Sequence, residues 1–230
     1  CISLSQDIQG QTFDYPEDFF KEKVHTIRRP RPDEFQIKEA AEKIKSSKNP
    51  IIISGGGVFY SNAMEALSKF AIKHNIPVTQ TVMGYSTMKR DHSHYAGQIG
   101  GLGGKNTNSL AKQTDLAIAV GTKLGDFTTG SWANFENENF KLVSINVSRF
   151  DANKHLAQAV VGDAKVSLDE LSQALGDWKA GEEWNKKSQA ELKVWNEHVD
   201  KESAPSNQEV PSYVQVVGSI YKNSDPSDIA

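Results

Sequence analysis

The apolar positions of this chain change period along its length, and those changes divide it into elements. Phe35, Ile37, Ala40, Ala41 and Ile44 recur at helical spacing behind Asp33, a capping residue type, which predicts a helix over residues 33–45. Ile51, Ile52 and Ile53 form an unbroken β-branched run closed by Ser54 and three glycines, the pattern of a strand buried on both faces of a parallel sheet. A second helix is expected behind Ser61, with Ala63, Ala66, Leu67, Phe70 and Ala71 on one face and its end near Asn75. A second strand follows over residues 76–81. Beyond a glycine-rich stretch the alternation resumes, with helices over 106–113 and 166–175 and strands over 115–120, 141–147 and 159–161.

Strands alternating with helices predict an α/β fold, a doubly wound and mostly parallel sheet with helices on both faces, over residues 33–177. The flanks read differently. Ile2 and Leu4 alternate like a short strand with no partner nearby, and residues 11–32 mix aromatics, charges and prolines as an extended connector does. Residues 178–210 read as a helical connector, its helix over 183–202 carrying Trp184, Leu192 and Trp195. Residues 211–230 open another unit, with a helix over 211–221 that sets Tyr213, Val214, Val217 and Ile220 on one face, before Ile229 and Ala230 at the start of an expected strand.

A length of 230 residues allows one large domain or two small ones. The 26 basic residues fall short of the 29 acidic ones, giving a net charge of −3, so the basic surplus of a nucleic-acid binder is missing. Mean hydropathy is −0.53 and no apolar run approaches the roughly 18 residues of a spanning helix, so neither nucleic acid nor membrane is an expected partner. The single cysteine, Cys1, can form no internal disulfide, and the sequence shows no charged region followed by an apolar one that would announce export, so the cytoplasm is the expected location. A chain that begins with Cys1 rather than Met is expected to be part of a longer protein.

Residues 54–57 follow the first strand, where a doubly wound fold brings backbone amides to a phosphate. The dinucleotide fingerprint fails there, because Tyr60 stands where a third glycine belongs and no acid ends the second strand, which disfavours ordinary dehydrogenase chemistry. A tight strand-to-helix turn explains these glycines equally well. The run GGLGGK over 100–105 is no phosphate loop, since its first glycine would fall at Ile99 and Asn106 follows the lysine. Asp91, His92 and His94 lack a third and fourth metal ligand of known spacing and read as a solvated loop. The RRPRP run over 28–32 reads either as a polyanion contact or, preferably, as an extended linker. Residues 121–130 follow a buried strand at the edge where open sheets place ligands, with Lys123 and Asp126 as candidate polar contacts.

Taken in order, PIIISGGGV, IPVTQTVMG, DHSHYAGQIGGLGG, DLAIAVGTKLGDFTTG, LVSINVSRFDANK and VVGDAKVSLDEL resemble the successive motifs of the central domain of thiamine-diphosphate-dependent enzymes of the acetolactate synthase type. SLSQDIQG resembles the exit of that family's first, pyrimidine-binding domain. Residues from about 211 resemble the opening of its third, pyrophosphate-binding domain. Within the family, SQDIQGQTFDYPEDFF, DFTTGSW and INVSRFDA look most like the hydrolases that cleave a C–C bond of a cyclic trihydroxy-dione in myo-inositol catabolism. The resemblance implies a full-length enzyme using thiamine diphosphate and magnesium on a small cyclic dione, as a homodimer or homotetramer. Flavin-binding members carry arginine at the position of Phe127 and acidic residues at those of Asn146 and Ser148, so FAD is not expected. Another nucleotide, NAD first among those to test, is expected to meet Gly55, Gly56, Gly57, Met83, Gly84, Gly121 and Thr122. The family's activating glutamate belongs to the first domain and its GDG motif to the third, whereas GD at Gly125, Gly162 and Gly176 is followed here by Phe127, Ala164 and Trp178. No catalytic residue or metal ligand is therefore expected in this chain, which is predicted to be inactive by itself. Two alternatives stand beside this reading: an acetolactate-synthase-like carboligase or decarboxylase, and a nucleotide-binding module without catalysis.

Overall fold

The computed structural model describes residues 2–225. Six strands form one all-parallel sheet: β1 (Pro50–Ser54), β2 (Val78–Gln80), β3 (Tyr95–Gln98), β4 (Leu116–Val120), β5 (Lys141–Asn146) and β6 (Gln158–Val161). Their order is β3-β2-β1-β4-β5-β6, so the winding reverses between β1 and β4. The doubly wound α/β class read from the sequence is the one observed.

The strands are short and apolar because both faces are covered. Successive side chains point to opposite faces, so Ile52 packs with Val78, Ile118, Val143 and Val160 on one side, while Ile51 and Ile53 pack with Ala117, Ala119 and Leu142 on the other. Helices α2 (Glu34–Lys45), α4 (Met64–His74) and α8 (Ala164–Leu175) cover the first face, and α5 (Lys105–Gln113) covers the second. Asp33 caps α2 as expected, its carboxylate accepting from the amides of Phe35 and Gln36. Asn75 closes α4 in the left-handed conformation.

Four expectations require correction. Residues 2–5 pair with no strand among the described residues; Ile2 and Leu4 are exposed, and a single helical turn, α1 (Gln6–Gln9), follows them. An alternating pair of side chains does not hold a strand without a neighbour to bond. Ser61 closes the short helix α3 (Gly56–Tyr60) instead of opening the next one, which starts behind Ala63. Strand β3 lies inside the stretch read as glycine-rich loop, because Gly97 at φ +110° interrupts its apolar pattern. The remaining correction concerns the RRPRP run, which is no solvated linker. Pro32 is buried against Gly162, the Pro30 carbonyl accepts from the Asp163 amide, and Arg29 and Arg31 pair with Asp163 and Glu170 at 2.9 and 2.7 Å. Residues 229 and 230, like Cys1, lie outside the described residues.

Three further helices complete the chain order. They are α6 (Asp126–Thr129), α7 (Arg149–Ala152) and the long α9 (Glu182–Glu202), after which α10 (Tyr213–Asn223) ends the described structure. Helix α9, expected as a connector, packs along β3 and α5, burying Trp184 and Leu192, with the Trp184 indole donating to the Pro50 carbonyl at 2.8 Å. Helix α10 buries none of its residues. No helix among the described residues is long and apolar enough to cross a membrane.

Asp163 carries two loads at once, since one oxygen caps α8 through the Lys165 and Val166 amides and the other pairs with Arg29, on a side chain 5% exposed. Replacing Asp163 by Ala is expected to cost about 2–3 kcal/mol, the sum of a lost cap and a stranded cation. Urea denaturation of the two proteins measures it; equal midpoints would show that the cap and the Arg29 pairing add no stability.

Candidate functional site at the carboxyl edge of the sheet

Ligands of open α/β sheets bind outside the carboxyl ends of the strands where the winding reverses. Here the two loops at that point are the glycine segment after β1 and the segment after β4, and they touch. The Gly55 amide donates to the Val120 carbonyl and the Gly57 amide to the Gly121 carbonyl, both at 2.9 Å. A Cβ on Gly57 would stand 2.6 Å from the Gly121 Cα, and Gly121 itself sits at φ +61°, so neither position accepts a side chain. The Gly57 amide is spent on the protein and is not offered to a phosphate.

Closing that crevice displaces the open space sideways, into a cleft of about 630 Å³ between α3, the turn Val82–Gly84 and the loop that ends in α6. The volume suits a small-molecule ligand. Gly56, Gly57, Met83, Gly121 and Thr122, five of the residues expected at a nucleotide, line this cleft together with Lys123 and Asp126. Gly55 and Gly84 do not. A Cβ on Gly55 would meet the Gly121 carbonyl at 2.5 Å, and one on Gly84 would collide with the Ser54 carbonyl, so both serve close packing beneath the cleft.

The walls differ in character. Val82, Met83, Ile99, Leu102 and Phe127 make one side apolar, and Met83, Leu102 and Phe127 are largely exposed. The opposite side is glycine backbone with Thr122, Lys123, Asp126 and Asn146. Asn146 is already engaged, donating to the Thr122 carbonyl and accepting from the Ser148 amide. Sequence reasoning did not place Val82, Ile99, Leu102 or Tyr60 at a site; Val82 and Ile99 stand within two residues of the ends of β2 and β3, the signal that could have found them.

A buried polar network fixes the Met83 wall. Ser54 and Thr87 hydroxyls meet at 2.7 Å, Thr87 donates to the Gly84 carbonyl, and the Gln80 amide donates to Thr87 and to the Met88 carbonyl. The glycine run after β3 is held likewise, the Gly101 amide donating to the Phe127 carbonyl at 2.7 Å and Asn108 bonding both the amide and the carbonyl of Gly100. These glycines bring the loop after β3 against α6.

The histidine pair is not a metal site. His92 Nδ1 accepts from the His94 amide, so its Nε2 donates to the Ser68 hydroxyl; His94 donates from Nε2 to Asn75 and accepts at Nδ1 from Ser93. No ring nitrogen remains for a cation, and no group of three or more His, Cys, Asp and Glu side chains able to hold one occurs among the described residues. His74 is used in the same way, donating from Nδ1 to the Trp178 carbonyl and accepting at Nε2 from Ser172.

Residues 37–171 match the model of the family described as thiamine pyrophosphate enzyme, central domain. The chain belongs to that family. It is 46% identical over 175 residues to a 3D-(3,5/4)-trihydroxycyclohexane-1,2-dione hydrolase of Clostridium perfringens (strain 13 / Type A), covering 76% of this chain and 27% of that protein. Proteins of the same name from Clostridium tetani and Geobacillus thermodenitrificans are 41% and 42% identical, over 97% and 87% of this chain and 36% and 31% of their own lengths. The chain thus spans about a quarter to a third of the curated relatives it matches.

Two predictions follow from this geometry. Gly57→Ala is expected to destabilise the fold by about 1–3 kcal/mol through its collision with Gly121, whereas Gly125→Ala, with nothing within 4 Å of its Cβ, is expected to stay within about 0.5 kcal/mol of the parent; similar melting points for the two variants would refute the closed crevice. Burial pushes the imidazoles of His74, His92 and His94 below their ordinary value. A folded pKa below the unfolded one, about 6.5, means stability is full above that pH and falls as acid is added through it, because the unfolded chain takes up the protons first. Melting temperatures measured between about pH 8 and 5 are expected to be level and then decline, with a shallower decline in His74→Gln.

Proposed function

We propose that this chain is the central domain of a thiamine-diphosphate-dependent hydrolase that cleaves a C–C bond of a cyclic trihydroxy-dione in myo-inositol catabolism. The observation that carries the proposal is the 41% identity to the Clostridium tetani hydrolase over 97% of this chain. The chain's own residues do not fit the thiamine diphosphate and magnesium of such an enzyme. The dipeptide GD is never followed by glycine here, and no clustered acids able to hold a metal occur among the described residues. Both groups are assigned to parts of the larger protein outside this sequence, and no chemical step is assigned to this chain.

What the chain contributes in this reading is position and a ligand cleft. The cleft suits a nucleotide such as NAD, whose flat rings fit the Val82, Met83, Leu102 and Phe127 side and whose phosphates fit Thr122 and Lys123. Flavin is left out, because Phe127, Asn146 and Ser148 replace the residues that flavin-binding members present. The assembled protein is read as a cytoplasmic homodimer or homotetramer. The carboligase alternative has no observation in its favour beyond the shared family.

Two measurements test the proposal. The full-length protein is expected to turn over the cyclic dione only with thiamine diphosphate and magnesium, and the 230-residue chain not at all; turnover by the chain alone would contradict the division of labour. Calorimetric titration of the chain with NAD is expected to show saturable binding weakened about tenfold in Lys123→Ala. Absence of NAD binding removes the nucleotide and leaves the hydrolase assignment standing.

A further inference from the structure

The loop that leaves the cleft wall after Gly84 folds around a second, smaller cavity. It measures about 340 Å³ and is lined by Gln80, Tyr85, Ser86, Lys89, Arg90 and Asp91, with Met88 beneath. Gln80 is 1% exposed, its amide nitrogen donating to the Thr87 hydroxyl and the Met88 carbonyl. Arg90 also borders a cavity of about 620 Å³ between α9 and α10, where Lys222, Tyr213 and Tyr221 supply polar groups and Val199, Val214 and Val217 an apolar wall.

Arg90 is therefore a cation shared by two cavities, and its surroundings are phenols. Its guanidinium lies 5.3 Å from the ring centre of Tyr221 and is hydrogen-bonded to the Tyr95 and Tyr221 phenols. No ion pair joins it to a carboxylate among the described residues, although Asp91 and Asp200 line the same two cavities. The other arginine pairs of the structure, Arg29 with Asp163 and Arg31 with Glu170, show what a satisfied guanidinium looks like in this fold. The Tyr95 and Tyr221 phenol oxygens take part of the guanidinium's five N–H donors, and the donors that remain can meet two oxygens of one anion. Lys89 adds a second positive charge, and the tyrosine hydroxyls add neutral donors.

We propose that Arg90, with Lys89 and the surrounding tyrosine hydroxyls, forms a binding site for a small oxyanion, a carboxylate or a phosphate, separate from the cleft beside Met83. The site lies where the loop from the cleft wall meets Tyr221 of α10, so a bound anion bridges these two segments.

Equilibrium dialysis of the full 230-residue chain at low ionic strength tests the site, with inorganic phosphate and gluconate as the two probes. At least one probe is expected to bind saturably, and which one does so tells phosphate from carboxylate. Arg90→Gln is expected to weaken binding at least about tenfold and Arg90→Lys less, since a lysine keeps the charge but not the fork. Lys112→Gln, a surface position paired with Glu136, is expected to bind as the parent does. Lys89→Gln, at an exposed position, provides a second variant should Arg90→Gln fail to fold, and is expected to lose affinity severalfold. Absence of saturable binding by both probes overturns the proposal, as does undiminished affinity in Lys89→Gln together with any folded Arg90→Gln.

Discussion

The contact between Gly57 and Gly121 governs the arrangement of everything above the sheet. In a doubly wound fold the loops after the two central strands usually part, and the gap receives a phosphate against a helix N-terminus. Here they meet backbone to backbone, the Gly55 and Gly57 amides both finding carbonyls across the gap. The same glycines that invite comparison with a dinucleotide fingerprint thus do the opposite work. Because the central gap is filled, open space is left only beside it, where the Val82–Gly84 turn and α6 stand back from α3.

Most of the fold was legible in the chain, because burial on both faces turns a strand into a plain apolar run. β1, β4, β5 and β6 and helices α2, α5, α8 and α9 fall within a residue or two of their expected positions. The failures share a cause. β3 has four residues, two of them alanine and glycine, and its burial comes from α5 and α9, which pack on it from elsewhere in the chain. Ser61 has the chemistry of a cap but arrives two residues too soon, because it already closes α3, which buries Val58. Local pattern identifies what a segment does with its own neighbours and misses what distant segments impose on it.

The site divides along the same line. Glycines after strand ends are visible in a sequence, and Gly56, Gly57, Gly121 and Thr122 do reach the cleft. Whether a glycine faces a ligand or another loop is decided by the partner loop, so Gly55 and Gly84 could not be separated from the others without coordinates. The apolar wall was harder still. Phe127 belongs to a segment already placed at the ligand edge, but only the structure sets Leu102, from the loop after β3, exposed beside it. Asp91, His92 and His94 read as a solvated loop, whereas His94 is buried and the ring nitrogens of His92 and His94 are spent on holding loops together.

The two flanks, finally, are directed by contacts the body supplies. On the entering side, Arg29, Pro30 and Pro32 are fixed at the carboxyl end of β6 by Asp163 and Gly162. On the leaving side, His74 and Trp178 anchor the chain below the sheet, Trp184 then bonds Pro50 at the amino end of β1, and α9 runs upward past Gly97 to bring Trp195 beside Gly104. Both flanks therefore emerge at the edge that carries the cleft. The exposed aromatic cluster of Phe13, Tyr15, Phe19 and Phe20 belongs to the first flank and the unburied face of α10 to the second. Buried Asp163 and His74 therefore serve to fix where the two flanks leave the body of the fold.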